Sequence, residues 1–368
     1  MEVLFMNKKN PFNPTFGDVP KIYLGKDQPE ELASLIQQSD FARSFFITGV
    51  RGSGKTAFMT EVEQLLKMQS NCYCIDLIND SSLLPSFVNR LKELTNTKLT
   101  NAFKKVKGIS AAGMQISFKQ QDDPSNEIAN HVMKLMKVIK DQQKFVVVAI
   151  DEVTNDPVIH KFAQIFNELK RQDMPIFVLM TGLPGLILDV KNEEKLTFLL
   201  RSEQRVMKPL QASDTAITYR KIFECSPAVA SKMAQMVQGY SYAFQLLGYL
   251  TFQEGQRTNT TVSLELLKQI EPDFLTLLFD NAYTKIFDEL SSNDQKYLVS
   301  IFGNKRLSEV AKEMKQSLSY VSQYRRRAIS RHLVTPATYG KVKYTLPYFR
   351  KFIQETQNPD SMYYQFID

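Results

Sequence analysis

Cysteine and histidine are scarce in this chain. Its 368 residues contain three cysteines (Cys72, Cys74, Cys225) and three histidines (His131, His160, His332). Three cysteines cannot build a disulfide framework. Cys72 and Cys74 alternate within an apparent strand, which sets both on one face as small core residues. The histidines are scattered, so a zinc site is not expected. No apolar run reaches the roughly 18 residues that a membrane span needs. The segment Met1–Lys9 has an early acid and no long apolar core, and is expected not to be a secretory signal. Internal repeats and low-complexity runs are lacking as well. What remains is an ordinary globular composition, 43% hydrophobic and 23% charged. Its length suggests about two or three domains, and its few thiols point to a reduced, cytoplasmic setting.

Positive charge is in excess and unevenly placed. The net charge is +7, and residues 281–368 carry 14 Lys/Arg against 8 Asp/Glu, so +6 of it lies in the last 88 residues. Localised positive charge of this kind suits a polyanionic partner.

The most specific local signal is Gly49-Val50-Arg51-Gly52-Ser53-Gly54-Lys55-Thr56. It satisfies every fixed position of the phosphate-loop pattern. The apolar run 44–48 before it reads as a buried strand, and 57–66 after it has helical spacing. A strand, a glycine-rich turn and a helix N-terminus aim backbone N–H groups at one point, and the helix dipole adds positive potential there. Gly49 to Ala57 would therefore cradle phosphates, with Lys55 on the outer phosphates and the Thr56 hydroxyl on Mg²⁺.

Downstream, apolar strands alternate with helices. Strands are expected over 72–78, 145–150, 176–181 and 205–210, and helices over 29–38, 83–94, 126–141 and 157–171. Such a pattern predicts a parallel sheet covered on both faces. Residues 10–20, rich in Asn and Pro, should form an ordered arm, and 104–118 reads as an inserted hairpin with a basic flank. The strand 145–150 ends in Asp151-Glu152. Phosphoryl transfer needs a metal held near the phosphates and a group that activates water. Asp151 would hold Mg²⁺ and Glu152 would orient the attacking water. From 212 to about 280 the pattern is helical, with Ser226-Pro227 as an N-cap and first-turn proline. The expected units are 1–211, 212–283 and 284–368.

These motifs resemble an AAA+ ATPase, close to the origin-recognition-type initiators and to the STAND branch of signalling ATPases. The resemblance spans nearly the whole chain. It implies ATP/ADP and Mg²⁺ as cofactors, a P-loop α/β domain with an all-α lid, and ATP hydrolysis. It also implies a phosphate-sensing role for Thr181, and contact between the N-terminal arm (Asn-Pro-Phe, Gly17, residues 24–27) and adenine. An arginine near the last strand, Arg201 or Arg205, is implied to reach a neighbouring subunit's site in a homo-oligomer. The lid stretch 238–247 departs from the common pattern: Tyr242 stands at the lid arginine's position and Ser241 at that of the STAND proline. Slow hydrolysis or a nucleotide-gated switch is therefore expected.

Residues 307–331 fit a helix-turn-helix. Leu307, Val310, Ala311 and Met314 share one face of its first helix. Val321, Tyr324 and Ala328 share one of the second, and Lys315 stands at the turn position that usually prefers glycine. Ser319, Gln323, Arg326 and Ser330 form a polar stripe opposite Val321, with Arg327 beside it, suited to base edges and phosphates. Residues 334–346 read as a hairpin wing that turns Lys341 and Lys343 toward a DNA backbone. The segment resembles the winged helix found after the lid in initiator-type ATPases. Duplex DNA is the partner this reading expects. A STAND-like regulator whose winged helix contacts protein, and a nucleotide-binding scaffold, are the alternatives.

Overall fold

The four most apolar runs lie side by side. In the computed structural model, which describes residues 9–17, 19–25, 27–95, 124–185 and 201–365, β1 (Arg43–Thr48), β2 (Cys72–Leu77), β3 (Phe145–Ile150), β4 (Ile176–Gly182) and β5 (Glu203–Val206) form a parallel sheet of order β2-β3-β4-β1-β5. The hairpin expected over 104–118 lies outside the described residues.

These strands have no polar face because helices cover both sides. Phe45, Ile47, Val147, Ala149, Phe177 and Leu179 face α1 (Asp27–Gln37) and α2 (Lys55–Lys67). The alternate set, Phe46, Val146, Val148, Ile150, Ile176, Val178 and Met180, faces α3 (Leu83–Leu94), α4 (Pro124–Asp141) and α5 (Pro157–Arg171). Burial of each large apolar side chain contributes about 1.5–3 kcal/mol. Because the strands are parallel and β4 lies between β1 and β3, the loops after β1, β3 and β4 emerge side by side at the C-terminal ends of the strands, where α/β sheets bind ligands.

The last strand differs from expectation. It spans Glu203–Val206, not 205–210, and pairs with β1 from Phe45↔Glu203 to Thr48↔Val206. The partner strand ends at Thr48, and after the Met207 N–H bonds its carbonyl at 2.8 Å there is no ladder left to join.

Within α2 an acidic side chain is buried: Glu63 is 3% exposed. One carboxylate oxygen accepts from Lys67 at 3.0 Å, and the other, Oε1, has no partner. Burial, reinforced by the neighbouring Asp76, raises this carboxyl from 4.5 to about 7, with Lys67 opposing. The native state thus holds a proton that the unfolded chain has released between these values. The stabilising contribution is complete below about 4.5 and is lost as pH rises through about 7. Glu63→Gln is expected to gain stability relative to the parent chain as pH rises from 5 to 7.5, by about 2 kcal/mol. Urea unfolding at the two pH values checks this. Parallel changes in both proteins would mean that Glu63 titrates normally.

The second half is helical: α6 (Ala212–Phe223), α7 (Pro227–Val237), α8 (Ser241–Thr258) and α9 (Leu264–Leu278), with a π turn (Phe279–Tyr283) leading into α10 (Thr284–Asp288). The Ser226 hydroxyl caps α7 by accepting from the Val229 N–H at 3.3 Å. Helices α11 (Ser292–Ser300), α12 (Leu307–Glu313) and α13 (Leu318–Ser330) follow, then antiparallel β6 (Val334–Pro336) and β7 (Val342–Tyr344), and α14 (Phe349–Glu355). The helical run passes from 278 to 288 without a break, and one hydrophobic core joins Tyr219 and Phe244 to Tyr283, Phe287, Phe349 and Ile353.

Between α12 and α13, Lys315 adopts a left-handed φ of 51° and the Gln316 N–H bonds the Ala311 carbonyl at 3.0 Å. The turn that usually takes glycine is therefore built with lysine, which costs roughly 1–2 kcal/mol. Among the described residues no helix is long and apolar enough to cross a membrane.

Candidate functional site

The loop after β1 curls back on itself. Gly52 and Gly54 have φ of 74° and 91°, a region closed to most side chains. A Cβ on Gly52 would meet the Tyr240 hydroxyl at 2.5 Å. Gly54 caps α2, and the Phe58 N–H bonds its carbonyl at 2.9 Å. The Lys55 ammonium donates to the carbonyls of Gly49 and Val50 at 3.0 and 3.1 Å. Its burial lowers its pKa to about 8, and the carboxylates of Asp151 and Glu152 work against that shift.

The ends of β3 and β4 meet the start of α2. Thr56 donates to Asp151 Oδ2 at 2.9 Å, and the buried Thr181 hydroxyl donates to Asp151 Oδ1. In turn the Glu152 N–H donates to Thr181 Oγ1 at 3.0 Å. Glu152 has a left-handed φ of 50° and is exposed at the mouth. Asn79, beyond β2, donates to the Glu152 carbonyl at 3.2 Å and to Thr154 Oγ1 at 2.9 Å, and its own Oδ1 is buried without a partner. Sequence reasoning missed Asn79, which carries no motif and reaches Glu152 only through the adjacency of β2 and β3.

Two further elements close over the loop. At the start of α8, the Tyr240 hydroxyl donates to the Arg51 carbonyl at 2.6 Å, the Ser241 hydroxyl to that of Ser53 at 3.1 Å, and the Tyr242 N–H to that of Gly52 at 3.0 Å. The N-terminal arm lies along α8. Phe12 is buried against Tyr219, Phe223 and Phe244, and the Asn13 N–H bonds Gln245 Oε1 at 3.0 Å. Phe16 stacks on Tyr242 at 4.4 Å, with the Arg51 guanidinium 5.1 Å from its ring centroid. Together they line a cavity of about 1190 Å³ whose wall includes Phe16, Lys55, Asp151, Glu289 and Arg331. Ser53 Oγ and Arg51 Nε are buried without partners. A glycine loop with orphaned donors, a lysine, and a hydroxyl–carboxylate pair suits a polyphosphate with a divalent cation.

The residues expected at DNA divide into two groups. Ser319, Gln323, Arg326 and Lys343 are exposed, and Lys341 is half-buried. Arg327 is occupied internally: its Nε donates to Asp294 Oδ1 at 2.9 Å, and its guanidinium lies over Tyr324. Arg331 adds a second contact to Asp294 at 3.4 Å. Of the two arginines implied for a neighbouring site, Arg201 is exposed, whereas Arg205 pairs with Glu203 at 2.7 Å and Glu31 at 3.1 Å in its own chain.

The fold has solved counterparts. The chain is similar to the ORC2 protein of Aeropyrum pernix in its ADPNP-ADP complexes (TM-score 0.59, 10% identity, covering 94% of this chain and 93% of that one). It is similar to the ADP form of that protein at a TM-score of 0.50 (10% identity, 93% and 96% covered). Cdc6p from Pyrobaculum aerophilum matches at a TM-score of 0.48 (11% identity, 93% and 96% covered). A family profile described as a domain of unknown function (DUF8462) matches residues 280–353. No curated protein matches the chain. The likeness to the ORC2 protein shows that this chain shares that protein's fold.

Proposed function

We propose that this chain binds ATP with Mg²⁺ in the cavity between the phosphate loop, the arm and α8, hydrolyses it slowly, and uses the nucleotide state to control binding of duplex DNA by residues 284–368. The observation that carries the reading is the hydrogen-bonded set Thr56–Asp151–Thr181–Glu152 opposite Lys55. Bound Mg²⁺ would supply charge neutralisation at the transferring phosphate. Thr56 and Asp151 would hold it. Lys55 would leave its loop carbonyls for phosphate oxygens, Thr181 would keep Asp151 and the Glu152 main chain in register, and Glu152 would accept a proton from the attacking water. Residues 284–368 act as a winged helix in this reading, with α13 in the major groove and Lys341 and Lys343 on the backbone. Arg201 reaches into a neighbouring subunit.

Fluorescence anisotropy with duplex DNA at two salt concentrations, with and without Mg-ATP, tests this. Binding is expected to weaken steeply with salt, to change with nucleotide, and to fall on Arg326→Ala. Absence of DNA binding in every nucleotide state would overturn it. A second reading, a STAND-like regulator whose C-terminal unit contacts protein, is favoured by one observation: the internal use of Arg327 by Asp294. The same titration separates the two.

A further inference from the structure

Arg51 is more than a spacer in the phosphate loop. Its guanidinium lies over Phe16 inside the cavity, and its Nη1 is 3.9 Å from a Glu289 carboxylate oxygen at the end of α10. The contact is loose and both side chains are part-exposed (28% and 44%), so the pair is weak. Arg51 Nε is buried without a partner. Lys55, whose ammonium rests on the carbonyls of Gly49 and Val50, marks that end of the loop as the place for outer phosphates, and Arg51 follows Val50 directly. Tyr242, at the start of α8, packs on the Phe16 ring and so helps to hold it beneath the Arg51 guanidinium. A guanidinium with an open donor and a loose carboxylate partner prefers a phosphate, which offers more charge and bidentate acceptors.

We infer that Arg51 is an exchangeable cation: its guanidinium leaves Glu289 for the terminal phosphate of a bound nucleoside triphosphate, so loading the cavity breaks an ion pair between the phosphate loop and α10. The inference rests on the nucleotide reading above. It makes Arg51 the residue that distinguishes triphosphate from diphosphate in this chain, and makes Glu289 a competitor for it.

Isothermal titration of the full chain with Mg-AMPPNP and Mg-ADP tests it. Arg51→Ala is expected to weaken AMPPNP by about tenfold or more and ADP by less than about threefold, since only the triphosphate supplies the partner. The Arg51 carbonyl that accepts from Tyr240 is main chain and is retained. Glu289→Gln, at a part-exposed position, is expected to tighten AMPPNP by about threefold, and that gain should vanish in the Arg51→Ala background. Equal losses for both nucleotides, or a Glu289→Gln gain that persists without Arg51, would overturn the exchange. If the parent chain and Lys55→Ala differ in nucleotide binding while the Arg51 and Glu289 variants are silent, only this inference fails. If the parent chain binds neither nucleotide, the nucleotide reading fails with it.

Discussion

Glu152→Gln is expected to lower ATP turnover by about 10²–10³-fold and to leave nucleotide affinity within about threefold. The reason is positional. Glu152 is exposed at the mouth of the cavity, beyond Asp151, and its main chain is fixed from two sides by Thr181 and Asn79. Its carboxylate makes no phosphate or metal contact in the proposed arrangement, so only proton transfer from water is lost when the amide replaces it. Single-turnover hydrolysis and equilibrium nucleotide titration together check this. Unchanged turnover would assign the base elsewhere. Thr181→Val gives a companion test, because it leaves both carboxylates in place and removes the hydroxyl that ties the Asp151 carboxylate to the Glu152 main-chain N–H.

The second large effect is on stability. Asp294→Ala is expected to destabilise the chain by about 2–3 kcal/mol, below the range for fully buried pairs because Arg327 and Arg331 are 34% and 22% exposed. The Asp294 carboxylate is buried and receives Arg327, Arg331 and the Ser291 hydroxyl, the last at 2.7 Å. Its removal leaves two guanidinium groups without their acceptor and loosens the N-terminal turn of α11. Thermal unfolding should show a drop of several degrees. Arg326→Ala, at an exposed position, should unfold like the parent chain, and under the proposed function only its DNA affinity should fall. Arg327→Ala should lose stability. If Asp294→Ala melts unchanged, the cluster is held by packing among Tyr324, Leu298 and Ala328 instead.

Much of the candidate site's local geometry was readable in one dimension. The glycine loop needs positive φ at fixed spacing, and that need is visible as Gly52 and Gly54. Strands buried on both faces must be apolar throughout, so 145–150 and 176–181 announce themselves. Even the turn at Lys315 was legible between the two helix faces, although the residue is not glycine. The last strand was misplaced because its extent depends on where β1 stops, not on its own composition.

Other features could not be read that way. Arg326 and Arg327 are adjacent and chemically identical, yet one faces solvent and the other is tied to Asp294, 33 residues earlier. Arg51 meets Glu289, Tyr240 meets the Arg51 carbonyl, and Asn79 meets Glu152, each across an interval set by which elements pack together. The sequence by itself determined the glycine-rich loop after β1, the Asp151-Glu152 strand end, the buried strands and the turn at Lys315 between two helices, because backbone dihedral limits and side-chain periodicity act over a few neighbouring residues. Only the tertiary structure decided which charged and polar side chains serve the site and which serve the fold, because their partners lie on other elements and are brought within hydrogen-bond reach by burial of the cores between them.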